Sequence, residues 1–566
     1  MNKKETVKKI LTQIYGDQKG LNAFNRIIPQ INRFPKTEGG KKEYFSHEDI
    51  ILITYGDTLN SGDATPLNTL SKFADKYFAK VFSAIHILPF YPFSSDDGFS
   101  VIDFLKVDPN LGTWDDVADL NKKFDLMFDL VLNHISAKSP WFDKYLKGEK
   151  SFMDLAMEVD PSTDLSKVTR PRSLPLLTEF TKKSGEKVNI WTTFSEDQVD
   201  LNFRSLDVLE KMINVLLWYV QQGAKIIRLD AIAYLWKEIG TSCIHLSSTH
   251  EMVKLFRAIL NIIAHDVIIL TETNVPHDEN TSYFGDGDNE AQMVYNFTLP
   301  PLLLHTLVKG DASILSSWAK GLQLDNGQNT FFNFTASHDG IGVRPLEGIL
   351  PADDINRLVA FVKENGGSVS YKKNSDGTES PYELNITYID ACRNNASSKD
   401  PLHIQRFLCS QAIQYSLPGV PATYIHSILG SRNWTKGVEK TGRPRSINRE
   451  KLQVNDIISQ LKEDTSFRAQ VFSPYIELIK IRKSQKAFHP NGSFEIMEIN
   501  PKVFAIKRYF KNQIIISLTN ISSKKTNISL PDNLPRCMEN LFSQEKVSLN
   551  SITLNPYQYI WLSHYQ

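Results

Sequence analysis

Seven short apolar runs, each closing on polar residues, constrain the fold of this chain more than any other feature. They are DIILITYGD (49–57), FSAIHILPF (82–90), FDLMFDLVLNH (124–134), AKIIRLDAIAY (224–234), DVIILTETN (266–274), FFNFTASHDG (331–340) and PATYIHSI (421–428). Runs without polar alternation read as strands covered on both faces, the environment of a parallel sheet. Helical patterns lie between them. In LDVLEKMINVLLWYVQQG, residues Leu209, Met212, Ile213, Leu216 and Val220 form one stripe, and Gly223 ends it. PLHIQRFLCSQAIQYSLPG is a second such helix, directly before the last run. Strand–helix alternation sustained over about 430 residues predicts a (β/α)8 barrel rather than a smaller open sheet.

The remainder of the chain attaches to that barrel. Residues 1–49 are polar, with Val7, Ile10, Leu11 and Ile14 on one helical face and Gly16 as a stop, and predict a helical extension. The barrel then occupies 50–134 and 201–484. It is interrupted by a Pro-, Ser-, Thr- and Lys-rich insertion at 135–200, and by a second excursion at 345–400 with the turn-like NSDGTESP. From 485 to 566 the pattern becomes short strands, including VFAIKRYF and QIIISLTN, and predicts an antiparallel β domain.

In such a barrel all strand C-termini open onto one face, where active sites lie. The runs therefore deliver Asp57, His86, Asn133 with His134, Arg228 with Asp230, Glu272, and His338 with Asp339 to one bowl. A lone Asp at a strand end is usually a cap or turn residue. Capping does not call for Arg two residues before Asp, or His directly before Asp, and the feature repeats on six runs. Paired carboxyls point to glycosidic chemistry, one attacking the anomeric carbon while the other protonates the leaving oxygen. Arg228 would keep Asp230 ionised, and Glu272 must hold its proton until it donates.

Composition excludes other classes. Lys+Arg and Asp+Glu are equal at 64 each, which argues against a nucleic-acid or membrane surface. The four cysteines are scattered, with no CxxC or Cys/His cluster, so neither a disulfide framework nor a zinc site is expected. MNKKETVKKI lacks the apolar core of a leader, and no run reaches membrane-span length, so a cytoplasmic setting is expected. Few acid clusters in 135–200 resemble a calcium loop, and no metal or cofactor is expected.

DLVLNH, IRLDAIAY, LTETN and ASHDG resemble, in order and spacing, the four signature regions of the α-amylase superfamily. The resemblance implies that Asp230 is the nucleophile, Glu272 the general acid/base and Asp339 the transition-state stabiliser. It places His134, Arg228 and His338 at sugar-binding positions, with Tyr234 also on the substrate. LITYGD, HILPFYPFSSDDGFSVIDF, DQVDLNF, DGIGVRP and GSRNWTKGVEKTGRPRSINR look like the sucrose phosphorylase group. That implies a glucosyl clamp of Asp57, His86 and Arg445, with inorganic phosphate as co-substrate in place of water and α-glucose 1-phosphate as product.

Two departures from plain sucrose phosphorylases stand out. The chain carries about 50 extra residues before the first strand. Where their acceptor loop reads DLYQ, this one reads SPYE, with Tyr382 and Glu383. TETNVPHDENTSYFG, RPRSLPLLTEF, SPYELNITYIDA and SILGSRNW are more similar to the glucosylglycerate phosphorylases. The resemblance implies reversible phosphorolysis of glucosylglycerate, with sucrose 6-phosphate, glucosylglycerol or sucrose as alternative donors and hydrolysis or transglucosylation as a further alternative. An anionic acceptor needs a cation, and Arg344 in DGIGVRP is the expected one; Arg344 or Arg445 is expected to serve phosphate.

Overall fold

The computed structural model describes residues 2–35, 43–172, 174–322, 324, 327–373, 378–394, 399–531 and 533–565. Eight strands close into a barrel: β1 (Ile51–Thr54), β2 (Ala84–Ile87), β3 (Asp125–Val131), β4 (Ala224–Asp230), β5 (Ile268–Thr271), β6 (Met293–Tyr295), β7 (Thr330–Asn333) and β8 (Val420–Tyr424). Each pairs in parallel with the next, and β8 returns to β1 through Ile51 opposite Ala422. The barrel expected from the apolar runs is thus present. Its sixth strand is the one not marked by a run, because MVY contributes only three residues.

The strands are buried along almost their whole length, as apolar runs packed between a barrel interior and a helical shell must be. Helix Leu206–Gln221 shows how the shell is built. Leu209, Met212, Ile213 and Leu216 are buried against the barrel, each contributing about 1.5–3 kcal/mol on the usual transfer scale.

Two helices precede the barrel, α1 (Lys3–Tyr15) and α2 (Asp17–Arg33). They lie against the barrel helices that follow Ser205 and Leu246. Arg26 pairs with Asp207 and Glu210, and the Tyr15 hydroxyl donates to Phe203 O at 2.8 Å.

The excursion after β3 leaves and returns side by side, because His134–Ser136 pairs antiparallel with Gln198–Asp200. Buried Asp200 fastens that base. It accepts from Thr193 N (2.8 Å), Thr193 Oγ1 (2.6 Å) and Asn133 Nδ2 (3.0 Å), and pairs with Lys237 (2.7 Å). The later excursion contains helix Ala352–Glu364 and the hairpin Ser368–Lys373/Glu379–Asn385. Its second strand also pairs with Ile341–Gly342, setting Glu383 opposite Gly342. That register carries the Tyr382–Glu383 pair to the barrel mouth beside Asp339.

The C-terminal part is a six-stranded antiparallel sheet with a two-stranded companion. Period-two alternation gives the sheet two cores. Phe504, Ile506, Ile515 and Trp561 face the barrel, while Val503, Ala505, Ile516 and Leu518 face a separate cluster. Among the described residues no helix is long and apolar enough to cross a membrane.

Candidate active site

The C-terminal ends of β4 and β5 and the loop after β7 bring Asp230, Glu272 and Asp339 into one bowl. Arg228, two residues before Asp230 on β4, lies under them and is 2% exposed. Its Nη1 bonds Asp230 Oδ1 at 2.7 Å and also Asp129 on β3, and its Nη2 stands 3.9 Å from Glu272 Oε1. Asp129 is itself held by His86 Nε2 at 2.6 Å. A buried guanidinium held between two carboxylates is a rigid fork, and it fixes where the Asp230 carboxylate points.

The three acids sit in different fields. Burial pushes Glu272 up, and the negative charges of Asp230 and Asp339 add to it, while Arg228 opposes from a distance. Burial also raises Asp230, but there Arg228 is in direct contact and favours the ionised form. The proton shared by this pair therefore belongs on Glu272. At Asp339 burial is overcome by the guanidinium groups of Arg445, Arg449 and Arg228, Arg445 foremost, which hold it well below the usual carboxylate range. The backbone helps place Glu272: Ala231, in the left-handed region at φ 49°, donates its N–H to Glu272 Oε2 at 2.9 Å.

Histidines and aromatic rings complete the wall. His134 and His338 are buried, and burial keeps both neutral, His338 down to about 3. His338 stacks on Phe99 with ring centroids 4.8 Å apart, and His134 Nε2 meets Phe99 O at 2.8 Å. Phe99 is delivered by a strained turn: Asp96, Asp97 and Gly98 have φ of 53°, 48° and 112°. That turn also aims Asp96 into the bowl. Burial raises the Asp96 carboxyl, but Arg172, Arg445 and Arg449 outweigh it and bring it down to about 2.

The bowl is tight, about 90 Å³, and opens onto a vestibule of about 730 Å³. Asp96, Pro171, Arg172, Gln198, Tyr382, Glu383 and Arg445 line both compartments. Arg445 ties the two together. It pairs with Asp339 and forks onto Glu383, Nε to Oε1 at 3.0 Å and Nη2 to Oε2 at 2.6 Å. Charged groups so arranged can hold a pyranose below and an anion above.

This arrangement agrees with relatives of known activity. The chain matches the family described as alpha amylase, catalytic domain, over residues 76–339. It is 44% identical to the glucosylglycerate phosphorylase of Escherichia coli (strain K12), over 99% of this chain and 100% of that protein. It is 46% identical to the glucosylglycerate phosphorylase of Allomeiothermus silvanus, over 93% of this chain and 92% of that one. The solved sucrose 6F-phosphate phosphorylase from Thermoanaerobacter thermosaccharolyticum superposes with a TM-score of 0.75 at 27% identity, covering 89% of this chain and 98% of that one. The chain belongs to the phosphorylases of the α-amylase superfamily.

Within this phosphorylase, the residues singled out from sequence divide into two groups. His134, Arg228, Asp230, Glu272, His338, Asp339, Tyr382, Glu383 and Arg445 all line the bowl. Four others do not. Asp57 lies three residues beyond β1, pairs with Lys451 and does not line the bowl. His86 lies inside β2 rather than at its end, fully buried, and holds Asp129 from below. Arg344 faces Glu279, at 3.7 Å, and lines neither the bowl nor the vestibule. Tyr234, partly exposed, does not line the bowl and stands edge-on to Phe194, which does, at 5.6 Å.

Four residues unassigned from sequence belong to the site. Asp96 and Arg172 line both the bowl and the vestibule, where Asp57 and Arg344 line neither. Asp129 and Arg449 support the floor, Arg449 donating to His338 O at 2.7 Å. Asp129 had a readable signal, a charge inside an apolar run. Among the described residues, no group of three or more His, Cys, Asp or Glu side chains is arranged to hold a metal ion.

Proposed function

We propose that this enzyme is a retaining α-glucoside phosphorylase that converts glucosylglycerate and phosphate reversibly into α-glucose 1-phosphate and glycerate. The observation that carries this reading is the trio Asp230, Glu272 and Asp339 around Arg228, under a vestibule lined by arginines. The relatives named above support the donor.

In the first step an Asp230 oxygen attacks the anomeric carbon. Glu272 gives its proton to the glycosidic oxygen, and glycerate leaves. In the second step phosphate enters where glycerate left. Ionised Glu272 takes a proton from phosphate as its oxygen attacks the same carbon, and the Asp230 bond breaks. Two inversions give net retention. Asp339, held ionised by Arg445, stabilises the positive charge that develops on the sugar in the transition state of each step. His134, His338, Asp96 and Arg445 bind glucosyl hydroxyls, and Tyr382 borders the acceptor.

Glycerate and phosphate are both anions, and Arg172 is the cation placed for them. It lines bowl and vestibule, and its nearest acceptors, Asp96 Oδ2 and Phe194 O, are at 3.4 and 3.5 Å. Glu383 does not repel an anion, because Arg445 neutralises it. The chemistry draws on these side chains alone, with phosphate as co-substrate and no metal or cofactor. The four free cysteines, three of them buried, suit a reducing cytoplasm.

Incubation with glucosylglycerate, with and without phosphate, tests the reading. Glucose 1-phosphate should form only with phosphate, and free glucose forming equally either way would make the enzyme a hydrolase. In the synthetic direction from glucose 1-phosphate, glycerate should outpace glycerol, fructose and fructose 6-phosphate. Preference for any of those three would reassign the acceptor.

A further inference from the structure

A second cavity, of about 590 Å³, lies between the barrel and the C-terminal sheet. It shares no lining residue with the bowl or the vestibule. Its size falls within the range of small-molecule sites. Leu304, Leu307, Phe361, Ile521 and Tyr557 give it an apolar floor. Lys309, Arg393, Arg406, Lys502, Lys524 and Lys525 also line it, and no Asp or Glu does among the described residues. In a chain with 64 basic and 64 acidic residues, that separation of charge is local and strong.

Part of this charge is already answered. Lys309 pairs with Asp354 at 3.1 Å, and Arg406 with Asp400 at 2.6 Å while lying over the Tyr557 ring. Lys502 donates to a backbone carbonyl, Gly310 O, at 2.7 Å. Lys524 and Lys525 are exposed and have no ion-pair partner among the described residues.

The turn carrying these two lysines is held rigidly. Asn520, fully buried, donates from Nδ2 to Lys524 O (2.8 Å), Asn555 O (2.8 Å) and Leu554 O (3.3 Å). Its Oδ1 accepts from Ser522 N (3.1 Å) and Ser522 Oγ (2.9 Å). A buried amide thus fixes the backbone of a surface turn from which two consecutive lysines line the same cleft. Adjacent lysines repel one another, and a bound anion with two or more charges removes that repulsion.

We propose that this cleft is an accessory site for a phosphorylated small metabolite, distinct from the catalytic bowl. The phosphates meet Lys502, Lys524 and Lys525 at the rim, and the ligand's less polar body lies on the floor beside Phe361 and Tyr557. Lysine ammonium groups on flexible stems suit phosphate oxygens, to which they offer charge without a fixed fork.

Isothermal titration of the full chain with fructose 1,6-bisphosphate, with ATP and with citrate tests this, with sodium chloride holding ionic strength constant. One organic phosphate should bind at one site per chain. The double variant Lys524→Glu/Lys525→Glu should weaken it at least about tenfold, with turnover of glucose 1-phosphate and glycerate unchanged. Lys524→Ser/Lys525→Ser should give a smaller loss in the same direction. The proposal is overturned if neither organic phosphate binds, or if both variants bind as the wild type does. It is equally overturned if citrate binds as tightly as the phosphates.

Discussion

Glu383 and Arg445 form a two-pronged ion pair across the boundary between bowl and vestibule, at 3.0 and 2.6 Å. Arg445 also pairs with Asp339, so a residue of the acceptor hairpin is joined through one guanidinium to an acid of the bowl. Glu383→Gln keeps the shape and removes the charge. Arg445 is then free to turn toward Asp339 or toward an incoming anion. The ratio of kcat/KM for glycerate to that for glycerol should change by about 10- to 100-fold, or about 1.4–2.7 kcal/mol. Turnover of an activated glucosyl donor should change less. Steady-state rates across an acceptor panel measure both, and an unaltered acceptor ratio would remove Glu383 from acceptor selection.

Gly340 makes the approach of Glu383 possible. A Cβ at position 340 would lie 2.5 Å from Glu383 Cγ and 2.7 Å from its Cδ. Gly340→Ala should therefore push Glu383 off Arg445 and cost about 1–3 kcal/mol in stability, as overpacking does. Glu383→Ala empties the contested space. In a double-mutant cycle, Gly340→Ala should have a large effect in the wild type and almost none in the Glu383→Ala background. Equal effects in both backgrounds would place the clash elsewhere.

Rate should depend on pH through Glu272 and Asp230. Donation requires protonated Glu272, whose pKa is raised above the ordinary glutamate value of about 4.3. Cleavage of glucosylglycerate therefore falls as pH rises through that raised value. Attack requires ionised Asp230, also raised, so the rate falls again as pH drops through its value. Stability follows the same sign. A carboxyl with a raised folded-state pKa stabilises fully below its unfolded value and loses that contribution as pH rises through the folded one. Glu272→Gln should abolish the alkaline limb and raise resistance to urea at pH 8 relative to wild type. With glucosyl fluoride, whose leaving group needs no proton, the variant should regain the first step. No recovery with the fluoride would deny Glu272 the role of acid.

Asp230→Asn separates chemistry from folding. Arg228 keeps Asp129 as a carboxylate partner, so the buried guanidinium is not stranded. Melting temperature should move little, while turnover should fall by at least about 10,000-fold, because no other group can form the glycosyl bond. Rates near wild type would discard Asp230 as nucleophile.

The strand ends reveal part of this site, and the loops hide the rest. Asp230 ends β4, Glu272 directly follows β5 and Asp339 lies in the loop after β7, so locating the strands locates the acids. The same rule misplaces Asp57 and His86, since it treats every run alike. His86 falls inside β2, where a barrel strand points side chains into the interior, and the turn after β1 carries Asp57 away. Asp96 reaches the bowl only through the left-handed turn Asp96–Asp97–Gly98, in a long loop with no periodicity to read. β6 escaped because three residues cannot show a pattern, although its neighbours Ile269 and Phe332 fix its register through Gln292 and Asn296.

Arg172 and Arg344 offer the sharpest contrast between the two kinds of reading. Sequence order favours Arg344, five residues after Asp339. Geometry favours Arg172, which the excursion folds back over the bowl while Arg344 turns to Glu279. A hydrogen bond to a charged ligand contributes about 1.5–3 kcal/mol. Arg172→Ala should therefore raise KM for phosphate by about 10- to 150-fold, while Arg344→Ala leaves it within about twofold. Initial rates of glucosylglycerate phosphorolysis over a phosphate series decide between them. A larger effect at Arg344 would restore it as the anion-binding residue and leave Arg172 as a partner of Asp96.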